Sequence, residues 1–285
     1  MVLPSSSPAG TQTKRLTAMR ENLATSMNAR LLGSGKETIV LAHGYGGDQS
    51  VWDKIVPLLA DRYRLLLFDW CFSGAVKDPS LYDPTSYSSY DAFADDLISV
   101  VGEMKLSSCV FVGHSMSGMI GCIASLKRPD LFTRLVLVGP SPRLVNVEGY
   151  EGGFDLGQIE ELFSNIESNY EQWSCAFASL VVDATDQLSV EKFANCLKRM
   201  RVEVALSLAK TVFLADYRYV LEKVVVPCTI IQTKNDVVVP LSVARYMQTK
   251  IKGECEVEII DTEGHFPQLT AHLQFVEVLH RILGC

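Results

Sequence analysis

The sequence predicts an α/β protein in which a mostly parallel sheet carries helices on both faces and a helical insertion interrupts the strand rhythm. Three observations predict it. From residue 38 to residue 139, short continuous apolar runs alternate with amphipathic helical stretches, the rhythm of strands buried on both faces by crossover helices. Over 140–200 the strand signal vanishes, and short helical patterns rich in Phe, Tyr and Trp replace it. After residue 226 the strand–helix alternation returns.

The elements follow in order. Residues 1–27 read as a tail that is disordered or ends in a short helix. It carries Lys14, Arg15 and Arg20 against Glu21, which leaves a transit segment as the alternative. Residues 28–33 form a first strand, and Gly33-Ser34-Gly35 a hairpin turn. Strands are expected at 38–43, 63–69, 109–113, 134–139, 226–232 and 255–260. Helices are expected at 51–60, 90–104, 116–127, 203–214, 241–250 and 270–283. Within the insertion, 156–167 and 189–200 have helical apolar spacing. Domain organisation is thus a tail (1–27), a core (28–139 and 201–285) and a helical lid (140–200).

Bulk properties exclude several classes. The 285 residues are 48% apolar and 21% charged, with a net charge of −7 and no basic run, which argues against nucleic acid as a partner. No apolar stretch is long enough to span a bilayer, and the first residues lack the apolar core of a secretory signal. The eight cysteines are scattered without a C-x-x-C pair and read as free thiols in a reducing compartment. No metal-ligand spacing occurs, and GYGG at 44–47 lacks the further residues of a phosphate-cradling loop. The expectation is no cofactor and no metal.

The run VFVGHSMSG at 110–118 carries the chemistry. An apolar strand, then Gly113-His114-Ser115-Met116-Ser117, then a helix is the pattern of a nucleophile elbow. Ser117 stands where that pattern has glycine. A serine hydroxyl is a weak nucleophile until a histidine takes its proton and an acid orients the histidine. In the α/β-hydrolase order Ser, Asp, His, each after its own strand, the partners are Asp236 in QTKNDVVVP and His265 in DTEGHFPQL. Asp261, Glu263 and Asp69 are the competing acids. Oxyanion donors are the backbone N–H of Met116 and that of Tyr45, in the loop HGYGGDQSVW. His43 shapes that loop, and His114 packs beside the nucleophile.

The segments HGYGGDQSVWDKIVPLL, FVGHSMSGMIGCIASLKRPDLF, SPRLVN…GYEGGF, SNYEQW and DTEGHFPQL resemble the plant strigolactone- and karrikin-receptor family of α/β-hydrolases, Dwarf-fourteen and its relatives. The resemblance runs from about Asn28 to the C-terminus, and the loop DWCFSGAVKDPSLYDP points to the Dwarf-fourteen-like-two branch. In that family a serine also stands at the position of Ser117. The resemblance implies an eight-stranded type of sheet and a four-helix lid over a pocket for a small apolar butenolide. It implies slow cleavage of an enol-ether-linked butenolide by Ser115, Asp236 and His265. Tyr45, Leu144, Phe154, Trp173, Phe177 and Phe193 would line the pocket. The family usually carries Phe at Tyr45, an aromatic at Leu144, and Pro and Gly in the lid where Ser179 and Asp183 stand.

The expected function is therefore a slow serine hydrolase of strigolactone-like butenolides with a role in signalling. The resemblance also implies a monomer in cytoplasm and nucleus that recruits an F-box protein and a repressor. The alternatives are a butenolide-binding module with little turnover and a general carboxylesterase.

Overall fold

The computed structural model describes residues 23–284; of the expected N-terminal tail, residues 1–22 lie outside the described residues. A short helix, α1 (Leu23–Ser26), leads into seven strands. These are β1 (Arg30–Leu32), β2 (Thr38–Ala42), β3 (Arg64–Leu67), β4 (Cys109–His114), β5 (Phe132–Val138), β6 (Cys228–Asn235) and β7 (Cys255–Glu263). They form one sheet in the order β1-β3-β2-β4-β5-β6-β7. Only β1 runs antiparallel, against β3; all other pairs are parallel. The sheet thus has seven strands among the described residues, where an eight-stranded type was expected; the seven are those whose apolar runs the sequence displays.

Burial explains the strand sequences. Every residue of β2 and β4 is buried, as are the first six of β6, so these strands read as unbroken apolar runs. The edge strand β7 instead mixes half-buried and exposed positions, with only Ile260 buried, and carries Glu256, Glu258 and Asp261, charges that discourage pairing with another edge.

Crossover helices are α3 (Tyr90–Glu103), α4 (Met116–Lys127) and α10 (Leu241–Lys250), with α12 (His272–Leu283) packing on β7. Two expected helices are broken. In place of a helix at 51–60 there is a 3-10 turn at Gln49–Trp52 and a single turn, α2 (Val56–Leu59). Pro57 lacks the N–H that a continuous helix would bond to the carbonyl of Asp53. The last helix is preceded by a separate turn, α11 (Pro267–Thr270), the break falling at Ala271.

Between β5 and β6 lie α5 (Leu156–Ser168), α6 (Tyr170–Val181), α7 (Gln187–Arg199), α8 (Val202–Phe213) and the short α9 (Arg218–Leu221). Helix α6 packs on α7, and α8 packs on α5. The expected lid boundary at residue 200 falls between α7 and α8. Three of these helices are amphipathic with the apolar face inward: Ile159, Leu162 and Ile166 on α5, Phe193 and Leu197 on α7, Leu208 and Val212 on α8. The seven described cysteines form no disulfide.

Candidate active site

Parallel strands all deliver their carboxyl ends to one edge of the sheet, and the loops there converge. Ser115 follows β4, Gly139 follows β5, Asp236 follows β6 and His265 follows β7. The loop 43–48 follows β2, which pairs with β4.

Ser115 is the N-cap of α4, with φ 57° and ψ −122°. A left-handed φ on a serine costs on the order of 1–3 kcal/mol and persists only where the surroundings impose it. Here the Ser115 N–H donates to the Val138 carbonyl at 2.7 Å and its carbonyl accepts from Gly118 N at 2.9 Å. The departure at Ser117 has a structural role. Its buried hydroxyl donates to the His43 carbonyl at 2.5 Å and accepts from Trp70 Nε1 at 2.9 Å. The side chain in the glycine position therefore knits the β2 loop to the elbow.

Asp236 and His265 meet as the sequence order predicts. His265 Nδ1 lies 2.7 Å from Asp236 Oδ2, with both side chains buried. The carboxylate is held by three further donors: Val238 N at 2.8 Å and Val239 N at 3.1 Å on Oδ1, and Gln232 Nε2 at 3.0 Å on Oδ2. An acid oriented this way fixes the imidazole tautomer with its proton on Nδ1 and leaves Nε2 as the acceptor. That Nε2 is buried and has no hydrogen-bond partner, so it is open to a proton from Ser115, which lines the same cavity. The competing acids are occupied elsewhere. Asp261 pairs with Lys234 at 3.1 Å. Glu263 accepts from Asn235 at 2.6 Å. Asp69 accepts from Asn28 and from the main chain and side chain of Gln49.

The two remaining histidines near the site are structural. His43 is fully buried and accepts the Trp70 N–H at Nε2, 3.0 Å away; burial lowers its pKa. His114 Nε2 lies 2.9 Å from the His265 carbonyl, which makes it the donor there. Burial, followed by the neighbouring His265 ring, holds the His114 pKa well below the usual value.

For the oxyanion, neither Tyr45 N–H nor Met116 N–H donates to another backbone group among the described residues. A Cβ at Gly44 would stand 2.9 Å from Ser115 Cβ, so the main chain of residues 44–45 passes directly beside the nucleophile. Gly139 is a site residue the sequence analysis did not single out. Its φ is +54°, and a Cβ there would lie 2.8 Å from His265 Cε1. A glycine ending β5 next to the elbow strand was the available signal.

The cavity over Ser115 holds about 370 Å³ of empty space, part of it open to solvent. Its floor is Tyr45, His114, Ser115, Val238, His265 and Phe266; its roof is Leu144, Phe177, Val181, Phe193, Val212 and Phe213. Of the expected pocket residues, Tyr45, Leu144, Phe177 and Phe193 line it. Phe154 and Trp173 do not, and they form a second layer. Phe154 meets Phe213 edge-on at 5.6 Å, and Trp173 stacks on Phe177 at 4.9 Å. Trp173 and Phe177 share one helical face four residues apart, so the pattern could not say which of them reaches the ligand space. Val181, Val212, Phe213, Val238 and Phe266 were missed, because single apolar residues on helix faces or in loops carry no ligand signal.

The profile of the alpha/beta hydrolase family matches residues 39–278. Over 93% of this chain and 98% of the relative, the sequence is 44% identical to strigolactone esterase D14 of Arabidopsis thaliana. It is 46% identical to karrikin insensitive 2 receptor B of Petunia hybrida, over 83% of this chain and 87% of that protein. The chain belongs to the strigolactone-esterase and karrikin-receptor family of α/β-hydrolases. The fold extends beyond these relatives: a hydrolase from Oleispira antarctica superimposes with a TM-score of 0.88 at 29% identity, covering 93% of this chain and 98% of that one. Within the α/β-hydrolases, an elbow serine and an Asp–His pair behind it are the parts needed for acyl transfer.

Proposed function

We propose that the protein is a slow serine hydrolase of strigolactone-like butenolides and takes part in strigolactone- or karrikin-type signalling. The observation that carries this reading is the open Nε2 of His265, backed by buried Asp236, in the same small apolar cavity as Ser115. The names of the relatives supply the ligand class: strigolactone esterases and karrikin receptors.

In the reaction, Ser115 Oγ attacks the lactone carbonyl carbon as His265 Nε2 takes the hydroxyl proton. Asp236 stabilises the resulting imidazolium. The N–H groups of Tyr45 and Met116 meet the developing oxyanion. Collapse of the tetrahedral species breaks the acyl–oxygen bond, and His265 returns its proton to the leaving oxygen. Water activated by the same histidine then cleaves the ester to Ser115. The mostly apolar lining gives that water few polar partners, which supports slow turnover and a lingering acyl group.

A long-lived ligand-bound state is what a receptor needs, and the family resemblance supports an F-box protein and a repressor as partners, in cytoplasm and nucleus. Mass spectrometry of the intact protein after incubation with a panel of butenolides tests the chemistry. The expected result is a covalent adduct and product with wild type and neither with Ser115→Ala. Tight binding with no adduct and no product in wild type would replace this reading with a binding module.

A further inference from the structure

Tyr45 does more in this structure than offer a main-chain N–H. Its side chain is buried and its hydroxyl donates to the carbonyl of Ala205, in the first turn of α8, at 3.0 Å. Three rings meet it nearly edge-on, each with a centroid separation of 6.4 Å: Trp173 and Phe177 of α6 and Phe213 of α8. The adjoining Gly44 lies so near the nucleophile that a Cβ on it would stand 2.9 Å from Ser115 Cβ. Two consecutive residues thus lie between Ser115 and the helices α6 and α8. Ala205 O already has its place in the α8 helical ladder, so the phenol bond is an added tie rather than a requirement of helix formation. Burial pushes the Tyr45 pKa well above its usual value, so the phenol stays protonated and can act as the donor.

We propose that Tyr45 is a positioning residue that couples the seating of α8 to the oxyanion donor. The inference rests on the serine-hydrolase reading above. With α8 seated, the Tyr45 hydroxyl holds the main chain of residues 44–45 where the Tyr45 N–H meets the charge that develops on the substrate oxygen. A ligand bulky enough to lift α8 breaks that bond and withdraws the donor. Small acyl groups are then cleaved, whereas larger ones are retained with little cleavage. Ligand size, read through one phenol, sorts turnover from occupancy in a cavity of about 370 Å³.

Tyr45→Phe tests this, because it removes one oxygen and leaves the ring contacts. The probes are p-nitrophenyl acetate and p-nitrophenyl octanoate, with amide hydrogen exchange of 202–213 measured in the absence of substrate. A donor that acts in the transition state changes kcat and spares KM. For the acetate, kcat should fall about fivefold with KM held within about twofold, the loss of one modest hydrogen bond. For the octanoate, which has already lifted α8 in wild type, the variant should change little, so the chain-length dependence flattens. Exchange in α8 should rise. Val212→Ala widens the same cavity from α8 without touching the hydroxyl, and should move KM alone. Wild-type acetate kcat in Tyr45→Phe, or equal losses for both esters with unchanged α8 exchange, overturns the coupling. If Ser115→Ala cleaves the esters as wild type does, the hydrolase reading falls and the coupling falls with it. An inactive Ser115→Ala beside an unaffected Tyr45→Phe sinks the coupling alone.

Discussion

The floor and the roof of the cavity are built by different physics. The floor is polar and held by directed bonds: Ser115 N to Val138 O, Ser117 Oγ to His43 O, and four contacts on the Asp236 carboxylate. The roof is apolar and held mainly by packing, with the Tyr45 hydroxyl on the Ala205 carbonyl as a directed tie. Phe193 stands 4.4 Å from Phe266 and 6.5 Å from Phe177, centroid to centroid. Ion pairs tie the rim, where α7 and its cap meet the segment 48–54 through Lys54–Asp186, Lys192–Asp53 and Arg199–Asp48. Directed bonds set atoms to within fractions of an ångström, which chemistry requires. Packing sets shape and volume, which selection of a ligand requires. Changes to the floor should therefore appear in kcat, and changes to the roof in KM and stability.

The largest expected effect is on the floor. Ser115→Ala should lower turnover to background, and Asp236→Asn should cost on the order of 10⁴-fold in kcat by stabilising the wrong histidine tautomer. Both are read as initial rates on a fluorogenic butenolide, and Asp236→Asn at wild-type rate would break the assignment of floor chemistry. Gly139→Ala comes next. Its methyl would press on His265 at a position with φ +54°, and an ångström of displacement is worth roughly 10²-fold in kcat. Ligand affinity, measured by calorimetry, should change little.

Roof and stability effects are smaller in rate. Phe193→Ala, at a residue 1% exposed, should destabilise by about 3–5 kcal/mol and raise KM more than it lowers kcat. Thermal unfolding and steady-state kinetics check the two halves. A kcat loss as large as that of Gly139→Ala would erase the distinction between floor and roof. The buried neutral histidines give the floor a pH signature. Because folding lowers the pKa of His43 and His114, the unfolded chain binds more protons as pH drops below the usual histidine value of 6.5. Tm should accordingly fall from about pH 7.5 to about pH 5, and His114→Gln should show a smaller fall. Smallest of all is the rim: Lys192→Ala removes a partly exposed ion pair and should cost no more than about 1 kcal/mol, vanishing at high salt.

Legibility in the sequence follows the same division. Ser115, Asp236 and His265 were readable because each needs a rare residue type directly after an apolar strand, in one order along the chain. Buried parallel strands were readable because both faces are covered, leaving unbroken apolar runs such as 38–42 and 109–112. The role of Ser117 was not readable, since its partners, the His43 carbonyl and the Trp70 indole, lie 74 and 47 residues away along the chain. Gln232 was hidden for a similar reason: it is one polar residue at the end of a buried strand, and its meaning appears only once the Asp236 loop folds back on it.

By itself the sequence determined the strands, the direction in which they deliver their loops, and the candidates for nucleophile, acid and base. These depend on local periodicity and on chemistry that few residue types can supply. Only the tertiary structure decided which faces of α6, α7 and α8 line the cavity, that Phe154 and Trp173 stand behind the wall, that Gly139 lies beside His265, and that the Tyr45 hydroxyl reaches α8. Those outcomes depend on contacts between segments far apart in the chain, where a difference of one helical turn exchanges a wall residue for a buried one without changing the pattern.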